Sequence, residues 1–305
     1  MRNAFADEMT QLVDADPRLV LLSGDIGNRL FDRYKEKAPD RFYNCGVAEA
    51  NMMGVAAGLG MNGFRPVVYT ITPFTTTRCF EQIRVDVCYH ESPVIIVGTG
   101  AGLSYAQLGP THHSLEDIAI LRTLPGMAVL CPCDPLEVRA CLRSALKREG
   151  PTYIRLGKKG EPELHSTIPT LEIGKAITMR PGDDVCLVGT GNVVSVALEA
   201  AEDLKNHGIA VRIENFHSVK PLDESRLSEL VEKYKVIGII EEHSKIGGLY
   251  SAISEWQSDR MDGGTRLLSF SLADEFIHRV GTQQQARERA KLTAADISCA
   301  LREAL

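Results

Sequence analysis

The sequence lacks the marks of a membrane protein, a nucleic-acid binder and a secreted protein. Its 305 residues contain no run of about 18 apolar residues, so no helix is expected to cross a bilayer. A formal net charge of −6 leaves no basic excess for binding nucleic acid or a membrane surface. The amino-terminal segment is polar and has no apolar signal core. A cytoplasmic location is therefore expected.

Cysteine motifs for metal or redox chemistry are also missing. Of the eight cysteines, Cys131 and Cys133 are the only close pair, and they lack both the Cys-x-x-Cys spacing and a second pair. The others are scattered through apolar patterns. We therefore expect buried, reduced thiols and no metal site in this chain.

Two glycine-rich turns, which begin at Gly98 and Gly189, each follow a predicted strand without completing a nucleotide fingerprint. The third glycine position is Leu103 in the first turn and Val194 in the second, and no Walker sequence occurs. Both are interpreted as tight turns where the backbone must come close to another group.

Short β-branched runs alternate with longer amphipathic patterns, which is typical of parallel-sheet α/β architecture. Residues 158–170 have no hydrophobic period and carry glycine, two prolines and mixed charge, so they are interpreted as a linker. The prediction is two parallel-sheet-rich α/β domains, residues 1–157 and 171–305. Within the first, helices are expected over Ala48–Met61 and Thr75–Tyr89.

The predicted helix over Ala48–Met61 is rich in glycine and alanine and contains a single acid, Glu49. Each glycine costs a helix about 1 kcal/mol, which is usually compensated by close packing against another helix. From the residues alone, Glu49 is typical of a first-turn acid that complements the helix dipole.

Residues 46–54, GVAEANMMG, resemble the segment of transketolases, deoxyxylulose-phosphate synthases and pyruvate dehydrogenase beta subunits that supplies a glutamate to thiamine diphosphate. The resemblance implies that Glu49 is catalytic and binds this cofactor. In the family the glutamate hydrogen-bonds the aminopyrimidine ring and thereby promotes loss of the thiazolium proton. Largely apolar surroundings are expected for it.

Two further segments resemble the same family. Residues 73–84, PFTTTRCFEQIR, resemble the segment in which an aromatic ring stacks on the pyrimidine beside an arginine, which implies Phe74 and Arg78 as cofactor contacts. A core phenylalanine is the alternative for Phe74. Residues 109–117, GPTHHSLED, resemble a loop whose histidine faces the substrate. This implies that His112 is catalytic and binds substrate with its neighbour His113; a solvated helix start is the alternative.

Weaker resemblances complete the predicted site. Residues 23–28 resemble a strand-end loop near the cofactor, which implies Asp25 as a cofactor contact and Asn28 as a substrate contact. Arg155 matches an arginine that contacts substrate phosphate, with a domain-boundary ion pair as the alternative. Residues 184–223 and 239–253 resemble the family's carboxy-terminal domain. In the family this domain chiefly orders the dimer and covers the first domain, so Glu242, His243, Gly247 and Gly248 are expected to approach the interface, with no catalytic role.

The Gly-Asp-Gly…Asn motif that holds Mg²⁺ and the diphosphate in transketolases is absent from the sequence. The resemblance therefore implies a separate amino-terminal subunit that supplies this half and the Mg²⁺. Two copies of each subunit would give an α2β2 heterotetramer built on a homodimer of this chain.

Two substitutions in the substrate loop depart from transketolase. Gly100 and Leu108 stand where a histidine and an aspartate usually contact the donor's hydroxyls, which puts the usual pentose phosphates in doubt. The expected function is the carboxy-terminal subunit of a split transketolase-like transferase that moves a two-carbon ketol unit from a ketose to an aldose. The alternatives are a beta subunit of a 2-oxo acid decarboxylating synthase or dehydrogenase, and a non-catalytic regulatory subunit.

Overall fold

The computed structural model describes residues 1–27, 29–260 and 264–305. Twelve strands within these residues form two mostly parallel sheets flanked by helices, which confirms the predicted α/β class. The strands are β1 (Leu19–Ser23), β2 (Phe42–Asn44), β3 (Arg65–Ile71), β4 (Ile95–Thr99), β5 (Ala128–Leu130), β6 (Thr152–Leu156), β7 (Ile177–Arg180), β8 (Val185–Gly189), β9 (Val211–Asn215), β10 (Ser218–Lys220), β11 (Val236–Ser244) and β12 (Arg266–Leu272).

The α-helices include several of a single turn. They are α1 (Arg2–Leu12), α2 (Asp32–Lys37), α3 (Glu49–Met61), α4 (Thr72–Thr75), α5 (Phe80–Gln82), α6 (Asp117–Arg122), α7 (Pro135–Leu146), α8 (Val194–Lys205), α9 (Glu224–Lys233), α10 (Leu249–Arg260), α11 (Gln283–Arg289) and α12 (Ala294–Ala304). No helix in the described part of the chain is long and apolar enough to span a bilayer.

The first sheet has the order β10-β5-β6-β4-β3-β1-β2 and is parallel except for β10. Strands β1, β4 and β6 are buried at every position, because helices cover both faces of a parallel sheet. The chain runs from β1 outward to β2 and then returns to β3 on the other side of β1. This reversal opens a crevice at the carboxyl ends of β1 and β3, the usual ligand position in such sheets.

The second sheet has the order β12-β11-β8-β9-β7, with β7 antiparallel to β9. The sequence did not predict that β10, which follows β9, leaves this sheet. It pairs antiparallel with β5, so the second half of the chain closes the edge of the first sheet. The Lys220 ammonium then donates to the carbonyl oxygens of Arg122 and Leu124 at 2.8 and 2.6 Å. The two halves are thus joined by backbone pairing as well as by side chains.

The predicted linker lies within residues 157–176, all of which are described and none of which is helical or extended in a strand. It is nevertheless held in place. The backbone amides of Leu164 and His165 donate to Asp134 Oδ2 at 2.7 and 2.8 Å. The domain boundaries at 157 and 171 stay predictions.

The prediction of one continuous helix over Thr75–Tyr89 is wrong. The segment is divided into α4, a 3₁₀ turn at Thr77–Cys79, α5 and a π-helix at Ile83–Tyr89. Two threonine hydroxyls, on Thr76 and Thr77, bond carbonyl oxygens four residues back at 2.7 Å, which competes with regular helix formation. Thr76 itself has φ −116° and ψ −78°. The break places Arg78 in the 3₁₀ turn.

Several short elements were not predicted, namely α2, β2, β7, β10 and α11. Most are edge elements with few apolar residues, so their periodicity is weak. All eight cysteines are free, and six of them are buried as expected. The predicted burial is wrong for Cys45, which is half-buried, and for Cys299, which is exposed.

Candidate active site

The predicted site residues gather at one edge of the first sheet. Asp25 follows β1, Glu49 opens α3 after β2, and Phe74 and Arg78 follow β3. His112 lies in the connection that leaves β4. Because the carboxyl ends of parallel strands share an edge, segments far apart in sequence meet at the crevice beside β1 and β3.

Glu49 is the acid at the base of this crevice. Its side chain is 2% exposed, and both carboxylate oxygens accept from Nη1 of Arg78, at 2.8 and 2.9 Å. Gly24, at the end of β1, makes room for it. A Cβ on Gly24 would lie 3.1 Å from the Thr70 side chain and 3.5 Å from Cγ of Glu49. The surroundings of Glu49 are therefore not as apolar as expected, because the Arg78 guanidinium donates to its carboxylate.

Arg78 also contacts Phe74. Its Cζ lies 4.1 Å from the centroid of the Phe74 ring. Phe74 is half-buried, at the crevice, and its ring meets the His112 ring edge-on with centroids 5.3 Å apart. A flat cation thus bonds a buried carboxylate and covers an aromatic ring, which are the two contacts predicted for an aminopyrimidine.

His112 is the fourth residue in a line of contacts that runs from Glu49 through Arg78 and Phe74. Its Nδ1 lies 2.9 Å from Thr111 Oγ1, and its ring meets that of Tyr105 with centroids 6.0 Å apart. The Lys158 ammonium lies over the Tyr105 ring, 4.8 Å from the centroid. Burial, and then the neighbouring His113, lower the pKa of His112, so its ring is neutral and able to accept a proton near pH 7.

His113 faces away from this line, toward the second domain. It is 6% exposed, and its Nε2 has no hydrogen-bond partner among the described residues. Burial lowers its pKa, and the opposing effects of the Ala106 backbone and of Glu242 are smaller. Glu242 of the second domain accepts from the Leu103 amide of the first at 2.6 Å, and its predicted place at the interface stays a prediction.

Arg155 lies in a buried ion pair rather than at the crevice surface. Its Nε donates to Asp117 at 2.7 Å, and its Nη2 donates to the carbonyls of Ser114 and Glu242 at 2.7 and 3.0 Å. Burial opposes ionisation of Asp117, but Arg155, His243 and Tyr153 together hold the pKa of its carboxyl below the usual value. This arrangement matches the alternative interpretation of Arg155, an ion pair at the domain boundary. A substrate contact would require these bonds to open.

Asp25 lies at the exposed rim of the site, with a left-handed backbone φ of 55°. It accepts from the Asn44 amide at 3.0 Å, and Asn44 in turn accepts from the Gly46 backbone at 3.0 Å. Asp25 thus orients the turn that leads into Glu49. The predicted substrate contact Asn28 lies outside the described residues.

Three groups at this edge were not predicted from the sequence: Tyr105, Lys158 and the Thr70 hydroxyl. Tyr105 packs over Gly100, where a Cβ would overlap its ring, so the glycine turn after β4 admits this aromatic. Lys158 falls in the predicted linker, where no role was expected of it. Thr70 Oγ1 is buried without a hydrogen-bond partner among the described residues, close to Glu49. Thr70 could have been predicted as a site residue because it is a polar residue on the otherwise largely apolar, buried strand β3.

Family patterns match both halves of the chain. Residues 1–161 match the family described as "Transketolase, pyrimidine binding domain", and residues 174–297 match "Transketolase, C-terminal domain".

Among similar proteins, the 6-deoxy-6-sulfo-D-fructose transketolase subunit SqwH of Clostridium sp. (strain MSTE9) is 34% identical over 99% of this chain and 94% of its own length. A subunit of the apulose-4-phosphate transketolase of Phocaeicola vulgatus is 33% identical over 85% of this chain and 83% of its own length. The 1-deoxy-D-xylulose-5-phosphate synthase of Gloeobacter violaceus is 32% identical over 99% of this chain, which spans 48% of that protein.

Solved structures share the fold. One described as a split gene transketolase, inactive beta4 tetramer, superposes with a TM-score of 0.91 and 37% identity, covering 100% of this chain and 97% of that one. A mutant of the transketolase of Pichia stipitis superposes with a TM-score of 0.83 over 99% of this chain and 45% of that one. At 21% identity, this second likeness concerns the fold alone.

Proposed function

The chain belongs to the transketolase family, and from that premise we propose that it is the carboxy-terminal subunit of a split, thiamine-diphosphate-dependent transketolase. The enzyme would transfer a two-carbon ketol unit from a ketose to an aldose. One observation carries the proposal: Glu49 and Phe74 lie on either side of one flat cation, Arg78, in the crevice of the first sheet. An aminopyrimidine needs the same two neighbours, an acid at its edge and an aromatic ring at its face.

The residues of the crevice fit the pyrimidine half of the cofactor. Glu49 would bond a ring nitrogen, Phe74 would pack against the ring, and the buried Thr70 hydroxyl offers a further polar contact. When bound, thiamine diphosphate supplies the carbon nucleophile that attacks a substrate carbonyl. The diphosphate and Mg²⁺ would be held mainly by the partner subunit, because Gly-Asp-Gly…Asn is absent from this sequence.

Each residue of the crevice has a defined task in this proposal. Glu49 holds the proton at the pyrimidine edge, and its burial excludes water from that bond. Arg78 must release the carboxylate when the ring arrives, and it then lies beside the ring. His112 accepts and returns protons at the substrate's carbonyl and hydroxyl oxygens, a role that suits a neutral imidazole. Asp25 orients the turn before Glu49.

A separate amino-terminal subunit is part of the proposal. It is supported by relatives that are themselves named as transketolase subunits and that this chain matches over 94% and 83% of their length. The inactive tetramer of a similar split transketolase supports the view that this subunit associates with itself and needs a partner for activity. We propose an α2β2 assembly. The cytoplasmic location expected from the polar amino terminus also stays a prediction.

An anionic ketose is the proposed donor. Two of the relatives are named for a sulfonated and a phosphorylated sugar, and Lys158 brings a positive charge to the edge where His112 lies. Leu108, 48% exposed, and Gly100 replace the usual hydroxyl-reading groups, so the sugar would differ from the usual pentose phosphates.

The test is reconstitution with the partner, predicted to be a chain of about 270 residues carrying Gly-Asp-Gly…Asn and encoded beside this one. Purified subunits would be combined with thiamine diphosphate and Mg²⁺ and assayed with phosphorylated, sulfonated and neutral ketoses and with pyruvate. Ketose-dependent release of an aldose supports the proposal, and turnover of pyruvate alone supports the 2-oxo acid alternative. Unchanged turnover with Glu49→Ala would leave only a regulatory subunit.

A further inference from the structure

A second cluster of polar side chains lies away from the crevice, where the first domain, the linker and the second domain meet. It contains Cys133 and Glu137 at the start of α7 and His165 of the linker. One ligand atom from each of these three residues lies within 4.8 Å of the other two. Cys133 is 1% exposed, Glu137 is 0% exposed, and the His165 side chain is 11% exposed.

The neighbours of His165 fix the orientation of its ring. Its Nδ1 lies 3.0 Å from Asp134 Oδ2, the oxygen that also accepts from the His165 amide. Since a carboxylate can only accept, Nδ1 carries a proton; the bond to Asp134 raises the pKa of His165, so Nε2 presents a lone pair only when the ring gives up its second proton, as it would on binding a metal. Nε2 is buried and has no hydrogen-bond partner among the described residues. Carboxylate–histidine pairs of this kind orient the imidazole ligands of protein-bound metals.

The Glu137 carboxylate is held in a similar way. Its Oε1 accepts from Asn215 at 2.7 Å and its Oε2 accepts from the Cys133 amide at 2.5 Å, which leaves lone pairs on both oxygens. The same Asn215 amide group lies 3.4 Å from Cys133 Sγ. The carboxylate and the sulfur therefore face one small space.

His217 approaches this carboxylate from the second domain. It is 0% exposed, and its Nε2 lies 3.3 Å from the carbonyl of Glu172, to which it donates. Its Nδ1 is then an acceptor, yet it lies 3.6 Å from Glu137 Oε1 and has no partner among the described residues. Two buried acceptors that face each other repel unless a proton or a metal cation lies between them or beside them.

We propose that Cys133, Glu137 and His165 bind a divalent transition metal of the zinc class, with His217 as the fourth ligand and Asp134 orienting His165. A thiolate, two imidazoles and a carboxylate match the ligands and tetrahedral geometry of Zn²⁺, whereas Mg²⁺ prefers oxygen ligands. Tetrahedral ligands lie roughly 3.3–3.8 Å apart, so Cys133, Glu137 and His165, now within 4.8 Å of one another, must move closer, and His217 must turn in from its place beside Glu137 Oε1. Coordination releases the Cys133 thiol proton to solvent, and no electron is transferred.

The position of the cluster indicates a structural role. Its residues come from the start of α7, from the linker and from the connection between β9 and β10, which also meet through hydrogen bonds and apolar packing. A metal ion here would fasten the second domain and the linker to the first. This proposal does not depend on the proposed enzyme activity, since it concerns the isolated chain.

The test uses the full chain stripped of metal with a chelator and titrated with Co²⁺ as a spectroscopic probe. We expect one Co²⁺ per chain after desalting, a thiolate-to-cobalt charge-transfer band, and displacement by Zn²⁺. Cys133→Ser should abolish the band, and His165→Gln should weaken binding about tenfold or more. Cys186→Ser is the matched control, because Cys186 is buried in β8 of the second sheet.

A wild-type chain that retains no Co²⁺, or a Cys133→Ser chain that keeps the charge-transfer band, would overturn the proposal. Circular dichroism would verify that each variant is folded. If Cys133→Ser fails to fold, His165→Gln at the partly exposed edge of the cluster decides the question. Added Zn²⁺ should raise the melting temperature of the wild-type chain more than that of His165→Gln. An equal rise in both would mean that the cluster is a hydrogen-bond network without a metal.

Discussion

Nη1 of Arg78 lies 2.8 Å from Oε1 and 2.9 Å from Oε2 of Glu49, so a single nitrogen serves both oxygens of a carboxylate that is 2% exposed. The Arg78 side chain itself is 44% exposed. The pair therefore couples a buried acid to a partly exposed cation that also covers the Phe74 ring. Both the stability of the chain and access to Glu49 depend on this contact.

The first prediction is a double-mutant cycle on this pair. Arg78→Met should destabilise the chain by about 1–3 kcal/mol, because it leaves Glu49 buried without a counter-charge. Adding Glu49→Gln should recover part of this loss, which gives a coupling free energy above roughly 0.5 kcal/mol. Urea denaturation of the four proteins measures it. Strictly additive effects would mean that the contact contributes nothing in solution.

The second prediction concerns His112 as the group that exchanges protons with the substrate. In the reconstituted enzyme, His112→Asn should lower kcat about 10²- to 10⁴-fold. Burial and His113 lower the pKa of His112. The pKa that governs the acid limb of the kcat/KM profile should therefore lie below the ordinary histidine value of about 6.5. Exposed His207→Asn is the control and should behave as wild type. An acid limb that persists in His112→Asn would assign it to another group.

The third prediction separates the two interpretations of Arg155. Arg155→Met should destabilise the chain by roughly 3–5 kcal/mol, because Asp117 would remain buried without its partner. Lys158→Met should leave stability within about 0.5 kcal/mol of wild type but raise KM for an anionic ketose. Denaturation and steady-state kinetics measure the two effects. The opposite pattern, with a stable Arg155→Met that loses affinity for phosphorylated substrate, would restore the substrate contact predicted from the sequence.

The fourth prediction uses two glycines that share a left-handed backbone. Gly102 has φ +57° and a Cβ there would lie 2.5 Å from Glu242 Oε1 and 2.7 Å from its backbone oxygen, whereas Gly126 has φ +73° and no atom within 4 Å. Gly126→Ala should cost only the backbone strain, about 1 kcal/mol. Gly102→Ala should cost at least about 2 kcal/mol more, since the domains must shift apart. Equal losses on urea denaturation would show that the domain contact yields freely.

The fifth prediction is a loss of stability in acid caused by His243. Burial lowers its pKa to about 4, while Asp117 opposes this shift. The folded chain keeps the ring neutral and the unfolded chain protonates it below about pH 6.5. Its contribution is therefore complete above pH 6.5 and is lost as pH falls toward 4, up to about 3 kcal/mol. His243→Gln should flatten this part of the stability profile, and an unchanged slope would exclude His243 as its source.

The sequence was sufficient for the family, for the two α/β domains and for the order of the main elements. These follow from features that are local in the chain, namely hydrophobic period, strand-end turns and short motifs such as the one around Glu49. Elements of three or four residues at sheet edges were missed, as β2 and β10 illustrate, because so few residues carry no measurable period. The helix break before Arg78 was also missed, since threonine hydroxyl bonds to the backbone oppose a regular helix only weakly and leave little trace in the sequence pattern.

The chain by itself therefore named the acid, Glu49, and the aromatic and histidine that accompany it. Only the tertiary structure decided their partners: Arg78 on Glu49, Tyr105 and Lys158 beside His112, and Asp117 on Arg155. It also brought Cys133 close to His165, 32 positions away, a juxtaposition that no local motif indicates. The physical reason is that burial and pairing arise where distant segments dock. Local patterns determine what each segment becomes, and docking determines which charges meet.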